Sequence, residues 1–266
     1  MLDRFIARSF LGAILVLTVA LFDSAGTCAE PLTIQGSSTV SAEILTHNRG
    51  RIEALSAQSL KIVSVRSDFG LLRLLAGHSE FATISTLLPR AIESIRPSRP
   101  DLPYDKLIAF PVSLIRVAFV VNPSNQIRKT DLRTIRQILS GEVKNWKSLG
   151  GPDLPIRVVY AHVGDGVTLC VVGELFGGKP ITPAYPIRVA FGAQVVKVVE
   201  QEPSALGIAQ FGLVKKHQLP ELITDQVIEQ KLSLVTLGEP TPEQQAVINA
   251  VRQVASELGM PEVKLK

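Results

Sequence analysis

Cysteine is almost missing from this chain: its 266 residues contain two, Cys28 and Cys170. No Cys-x-x-Cys pair exists, and the four histidines, His47, His78, His162 and His217, share no metal-ligand spacing. Neither a metal nor any other cofactor therefore has a motif to rest on. Aromatic residues make up 5%, with a single Trp, and the 28 Lys and Arg nearly balance 24 Asp and Glu, for a net charge of +4. Without a basic block or aromatics interleaved with one, nucleic-acid binding has little support. A Gly-x-Ser-x-Gly elbow and a Walker-type phosphate loop are both absent, so an enzyme is not expected. What is present is an ordinary globular balance, 46% hydrophobic and 20% charged, in a chain long enough for one large domain or two small ones.

The one long apolar run lies at the N-terminus. Arg4 and Arg8 precede "LGAILVLTVALF", and "DSAGTCAE" follows with small residues. This is the layout of a secretory signal peptide over residues 1–29, cleaved after Ala29 with Thr27 and Ala29 as the small residues. An alternative is lipid attachment at Cys28, although Thr27 is larger than the Gly or Ala usually found before such a cysteine. No second run follows, so the mature protein is expected to lack a transmembrane span and to be periplasmic or secreted. Cleavage leaves Cys170 alone, unable to form an internal disulfide. Its setting, "TLCVVGELF", reads as a buried small hydrophobe rather than a nucleophile.

From residue 32 the pattern is strand, helix, strand, helix, strand. "LTIQG" runs into "GSSTV" and a helix with Val40, Ile44 and Leu45 on one side. "LKIVSV" leads through "RSDFG" into a helix with Leu71, Leu74 and Leu75 on one face, ended by Gly77. "EFATIS" is the third strand. Such alternation argues for a parallel sheet with helices on its faces. "RPSRPDLP" is a loop, and "LIAFPVSLIRVAFVV" is one or two strands ended by Asn-Pro. Thr130 is expected to cap a helix carrying Leu132, Ile135 and Leu139, stopped by Gly141. "PIRVVYA" is a strand, "GDGV" a turn into a buried helix, and "PSALGIAQFGLV" a strand returning to the first half. "TPEQQAVINAVRQVASELG" closes the chain as an amphipathic helix with Pro242 in its first turn. Two α/β halves imply a cleft into which helix N-termini present free amides.

Four segments carry a resemblance: "IQGSSTV", "VVNPSNQI", "LRTIRQILSGEVKNWKSLGGPDLPIRVV" and "PSALGIAQFGLV", in that order. Together they resemble the phosphate-type substrate-binding proteins of ABC transporters, over most of residues 32–215. "LSGEVKNW" followed by "LGGPDLPI" is the specific part. The resemblance implies an α/β, two-lobed periplasmic-binding-protein fold of type II with a central cleft. Residues 30–112 would form the first part of lobe 1, 113–207 lobe 2, and 208–266 the return to lobe 1 with the C-terminal helix. It also implies an exported solute-binding protein that takes a small-molecule or oxyanion ligand and works with an ABC permease. The alternative is a sensory or protein-interaction module on the same fold.

In that family an oxyanion lies between the lobes, held by helix N-terminal amides, hydroxyls and one arginine. By resemblance Thr39 and the Val40 amide make the first contact, Ser67 the second, and Ser85 stands where the family has Ser or Asp. Read from residue types alone, Ser38, Thr39 and Ser67 cap helices. The second lobe departs from the pattern of an arginine followed by a Gly-Ser-Gly-Thr turn. Ala161 takes the arginine position, and the turn is Gly164, Asp165, Gly166 and Val167. Asp68, beside Ser67, is a further acid, and Arg66 and His162 are the nearby cations. Asp is a favoured N-cap, so Asp165 is expected to take the amides that a ligand oxyanion would otherwise occupy.

Overall fold

The structure, a computed structural model, describes residues 30–162 and 165–263. The expected leader 1–29, with Thr27, Cys28 and Ala29, lies outside the described residues, as does Gly164 of the turn.

The first half begins as the alternation predicts. Strand β1 (Leu32–Ser37) passes into a short helical segment, α1 (Ser38–Val40), continued by a wider turn over Ser41–Leu45, and helix α2 (Arg49–Ser56) follows. Strand β2 (Leu60–Val65), helix α3 (Ser67–Leu75), strand β3 (Phe81–Ile84) and helix α4 (Leu88–Ile95) come next. β1 pairs in parallel with both β2 and β3. Val40, Ile44, Leu45 and Leu71 are fully buried, so the helical periodicity put the right side chains inside. Gly70 lets α3 lie against β1, because a Cβ there would come 2.5 Å from the Gly36 Cα.

One strand, β4 (Leu107–Val121), spans all of "LIAFPVSLIRVAFVV". Its register shifts between Pro111 and Ser113, where proline has no N–H to give to the ladder. Helix α5 (Leu132–Leu139), strand β5 (Arg157–Ala161), helix α6 (Gly166–Phe176), strand β6 (Tyr185–Val189) and helix α7 (Gly192–Gln201) build the second half. The cap of α5 is Asp131, not Thr130: its carboxylate accepts the Thr134 amide at 2.6 Å. Thr130 is one residue too early, its own amide being bound to the Ile223 carbonyl.

Strand β7 (Ala205–Gln210) does not return to the first half. It lies between β4 and β5, antiparallel to the one and parallel to the other. After helix α8 (Phe211–Lys216), strand β8 (Ile228–Leu237) makes the return, antiparallel to β4 and then to β3. Buried polar residues Gln230, Ser233 and Thr236 break the apolar alternation that would have revealed it. The sheet order is β2-β1-β3-β8-β4-β7-β5-β6. Each half is thus a parallel group, and the antiparallel pair β4 and β8 joins them. Helix α9 (Pro242–Glu257), capped by Thr241, packs Val247, Ile248 and Val251 into the first half beside Ile34, Leu60 and Leu234. Trp146, Tyr160 and Val171 centre the core of the second.

Candidate functional site

Parallel register sets the ends of the first three strands side by side. Ser37 lies opposite Val65, and Gly36 opposite Thr83, so the chain leaves β1, β2 and β3 at one edge, the usual ligand position in open α/β sheets. Thr39, Val40, Ser67 and Ser85 all gather there and are buried, whereas Ser38 is partly exposed. Each gathered group already has a partner. The Val40 amide reaches the Ser37 hydroxyl at 3.4 Å, so Ser37 rather than Ser38 caps α1. Ser37 Oγ donates to Ser85 Oγ at 2.8 Å, the Ser85 amide to Ser67 Oγ at 3.4 Å, and the Gln210 side-chain amide to Thr39 Oγ1.

The second half supplies the start of α6. Asp165 is its N-cap, with Oδ1 accepting the amides of Val167 at 3.0 Å and Thr168 at 3.4 Å. Asp165 is 9% exposed. Arg66, the nearest guanidinium, is forked onto Asp68, with Nε to Oδ1 at 3.1 Å and a terminal nitrogen to Oδ2 at 3.0 Å. Its charge is therefore spent locally, although Arg66 and Asp165 are close enough to affect each other. His162 is exposed.

The two halves touch at Gly166. A Cβ built there would lie 2.0 Å from Ser85 Oγ and 2.9 Å from both the Ser85 carbonyl and Gln230 Nε2. Only a glycine lets α6 press its first turn against β3. Gly166→Ala is expected to wedge the halves apart and cost about 1–3 kcal/mol as an overpacking change. Urea unfolding measures the loss and small-angle scattering the expansion; an unchanged variant would show that the contact yields freely.

Burial pushes the Asp165 carboxyl above its ordinary value of 3.8, and the Asp68 carboxylate adds to the rise; the two capping amides and Arg66 oppose it. A raised folded-state value means that the folded protein holds the proton longer than the unfolded chain. The group then lowers stability as pH climbs from 3.8 through the folded value, and the full cost remains at neutrality. Asp165→Asn keeps a capping oxygen and carries no charge. Its melting temperature should gain on that of the natural protein as pH rises through that window, then level off. A difference that shrinks with pH would mean that the amides, not burial, dominate.

A cavity of about 760 Å³ lies elsewhere, lined by Thr86, Arg90, Leu169, Cys170, Glu174 and Lys231 among others, without Thr39, Ser67 or Asp165. Burial pushes the Cys170 thiol up to about 12, with Glu174 adding to it, so it stays protonated and non-nucleophilic at neutral pH.

The profile of the PBP superfamily domain matches residues 23–254. The chain belongs to the PBP superfamily. Its two-lobed α/β architecture is the periplasmic-binding-protein fold, and the likeness to phosphate-type binding proteins recurs in the comparisons. The chain is 24% identical over 205 residues to the phosphate-binding protein PstS of Bacillus subtilis, covering 77% of this chain and 65% of that relative. It thus spans slightly less than two thirds of the relative's length. Among solved structures it is similar to a putative phosphate ABC transporter substrate-binding protein with bound phosphate from Clostridium perfringens, at a TM-score of 0.71 and 20% identity, over 88% of this chain and 100% of that one. It is also similar to an ABC-type phosphate transport receptor from Vibrio cholerae, at a TM-score of 0.63 and 17% identity, over 87% and 100%.

For this PBP superfamily member, the residues singled out from the sequence come together at one junction, with Ser38 at its margin and the Val167 side chain turned instead into the core of the second half. Three side chains there were not foreseen: Ser37, Gln210 and Gln230. Ser37 stood within "GSSTV", where the strand end fixes which serine caps. The two glutamines had no local signal, since each comes from a strand that only the tertiary fold brings to the junction.

Proposed function

We propose that the protein is an exported solute-binding protein of an ABC-type uptake system whose inter-lobe site does not hold phosphate tightly. Its first lobe is residues 30–112 with the chain from β8 onward, and its second lobe is the stretch between, because β7 and α8 pack with the second half. The observation that carries the reading is the Asp165 carboxylate resting on the Val167 and Thr168 amides. Helix N-terminal amides are the usual seat of a bound oxyanion, and here a side chain of the protein sits on them. Ala161, 2% exposed, stands where the phosphate-type pattern has arginine, and Arg66 is committed to Asp68. Phosphate is named for the relatives, and the first-lobe hydroxyls are kept. The class of activity, capture of a small polar solute outside the cytoplasm for delivery to a permease, follows from that likeness; catalysis does not. Thr39, the Val40 amide, Ser67, Ser85, Asp165, Gly166 and the Val167 amide form the site, with Ser38 at its edge.

Titration calorimetry of the mature protein with inorganic phosphate, at one fixed salt concentration, tests the reading. Binding no tighter than millimolar is expected. Micromolar binding would overturn it.

A further inference from the structure

Gln230 is fully buried on β8, and neither its Oε1 nor its Nε2 has a hydrogen-bond partner among the described residues. Its neighbours Glu229 and Lys231 line the 760 Å³ cavity, whose lining does not include Gln230. The amide and Ser85 meet the first residue of α6 at one point, since both crowd the position of a Gly166 Cβ. First lobe, second lobe and crossover strand therefore converge on a group that holds two donors and an acceptor unused. Buried polar groups are nearly always paired, so an unpaired amide at the seam of two lobes calls for a partner that arrives from outside.

We infer that Gln230 is a ligand-contacting residue of the inter-lobe site, and that the ligand is a small uncharged polyhydroxylated molecule, a polyol or monosaccharide. This rests on the solute-binding reading above and names the substrate class for it. A fully ionised oxyanion only accepts, which would leave Oε1 facing negative oxygens. Two neighbouring hydroxyls satisfy the amide at both ends, one accepting from Nε2 and the other donating to Oε1. The remaining groups suit the same chemistry. Ser37, Thr39, Ser67 and Ser85 offer hydroxyls, Asp165 offers a carboxylate, and the guanidinium of Arg66 is already taken.

The test uses the mature protein and Gln230→Met, which keeps length and volume and removes both polar ends. Each is titrated by calorimetry with glycerol, erythritol, myo-inositol, glucose and inorganic phosphate, and the ligand-free proteins are melted. At least one of the four polyols should bind the natural protein, and Gln230→Met should weaken it by about tenfold or more, the effect of two lost hydrogen bonds. Without ligand the variant should melt at the same temperature or higher, since it no longer buries an unpaired amide. The inference is overturned if none of the four binds, if the variant binds them equally well, or if its ligand-free melting point falls, which would mean that Gln230 has a structural partner. Tight phosphate binding by the natural protein would instead remove the reading beneath it, so the two failures are told apart.

Discussion

The triple variant Ala161→Arg, Asp165→Ser, Val167→Thr should bind inorganic phosphate about a thousandfold more tightly than the natural protein. A charge-assisted hydrogen bond contributes about 1.5–3 kcal/mol, and a guanidinium facing an oxyanion makes two. A carboxylate about 4 Å from the anion costs roughly 4 kcal/mol at an effective dielectric of 20. Allowing these effects to overlap by half leaves about 4 kcal/mol, or nearly three decades of affinity. The variant removes the carboxylate from the Val167 and Thr168 amides, where it now sits, and supplies the missing cation and hydroxyl. The first lobe is already in place, with Thr39, Ser67 and Ser85 at the same junction.

Asp165→Ser alone should recover about thirtyfold, since it relieves repulsion and frees the amides without adding a cation. It should cost little stability, because Ser is a competent N-cap. Ala161 is 2% exposed, so an arginine there must find room. The double variant Asp165→Ser, Val167→Thr, which adds no large side chain, keeps the test meaningful if the triple variant melts early. Calorimetry on all four proteins at one salt concentration decides it. Equal phosphate affinity across the series would show that Asp165 does not govern the site.

Trp146→Ala should lower stability by about 3–5 kcal/mol, the range for emptying a large buried aromatic site. Trp146 is completely buried, and its indole N–H donates to the Ser204 carbonyl at 2.9 Å. The residues that carry the family resemblance wrap around it. Its amide binds the Leu154 carbonyl, Gly151 donates to its carbonyl, and Asn145 caps the short turn that it opens. Trp146→Phe separates the contributions, keeping most apolar contact while leaving the Ser204 carbonyl without its donor, at about 1–3 kcal/mol. Urea unfolding followed at several probes gives both values. Phosphate and polyol binding at temperatures well below the melt should be unchanged, because Trp146 belongs to the second-lobe core and not to the cleft. The segment most useful for recognising the family is thus a packing feature, apart from the proposed ligand site.

Much of the first half was legible residue by residue. Apolar residues at helical spacing named Val40, Ile44 and Leu71 as buried, and the glycine and hydroxyl turns marked where strands pass into helices. These are local signals: a helix buries one face, and its end needs a cap, whatever the rest of the chain does. Asp165 belongs with them, because a carboxylate one residue before a helix finds amides two and three residues on. The shift of a cap from Thr130 to Asp131, and from Ser38 to Ser37, shows the limit of such signals. Which of two adjacent candidates caps depends on where the preceding strand or bridge stops.

The sequence by itself determined the α/β alternation, the chemistry of each strand-to-helix turn, and that Ala161, Asp165 and Val167 stand where the resemblance puts an arginine and two hydroxyls. Only the tertiary structure decided which residues share the junction between the halves. The antiparallel pairing of β4 and β8 ties two parallel groups into one sheet. It brings Gln210 to Thr39 across 171 positions of chain and sets Gln230 against Gly166. Neighbours so distant in sequence leave no periodic trace, because each glutamine obeys the spacing of its own strand, and what it faces is set by the register of another.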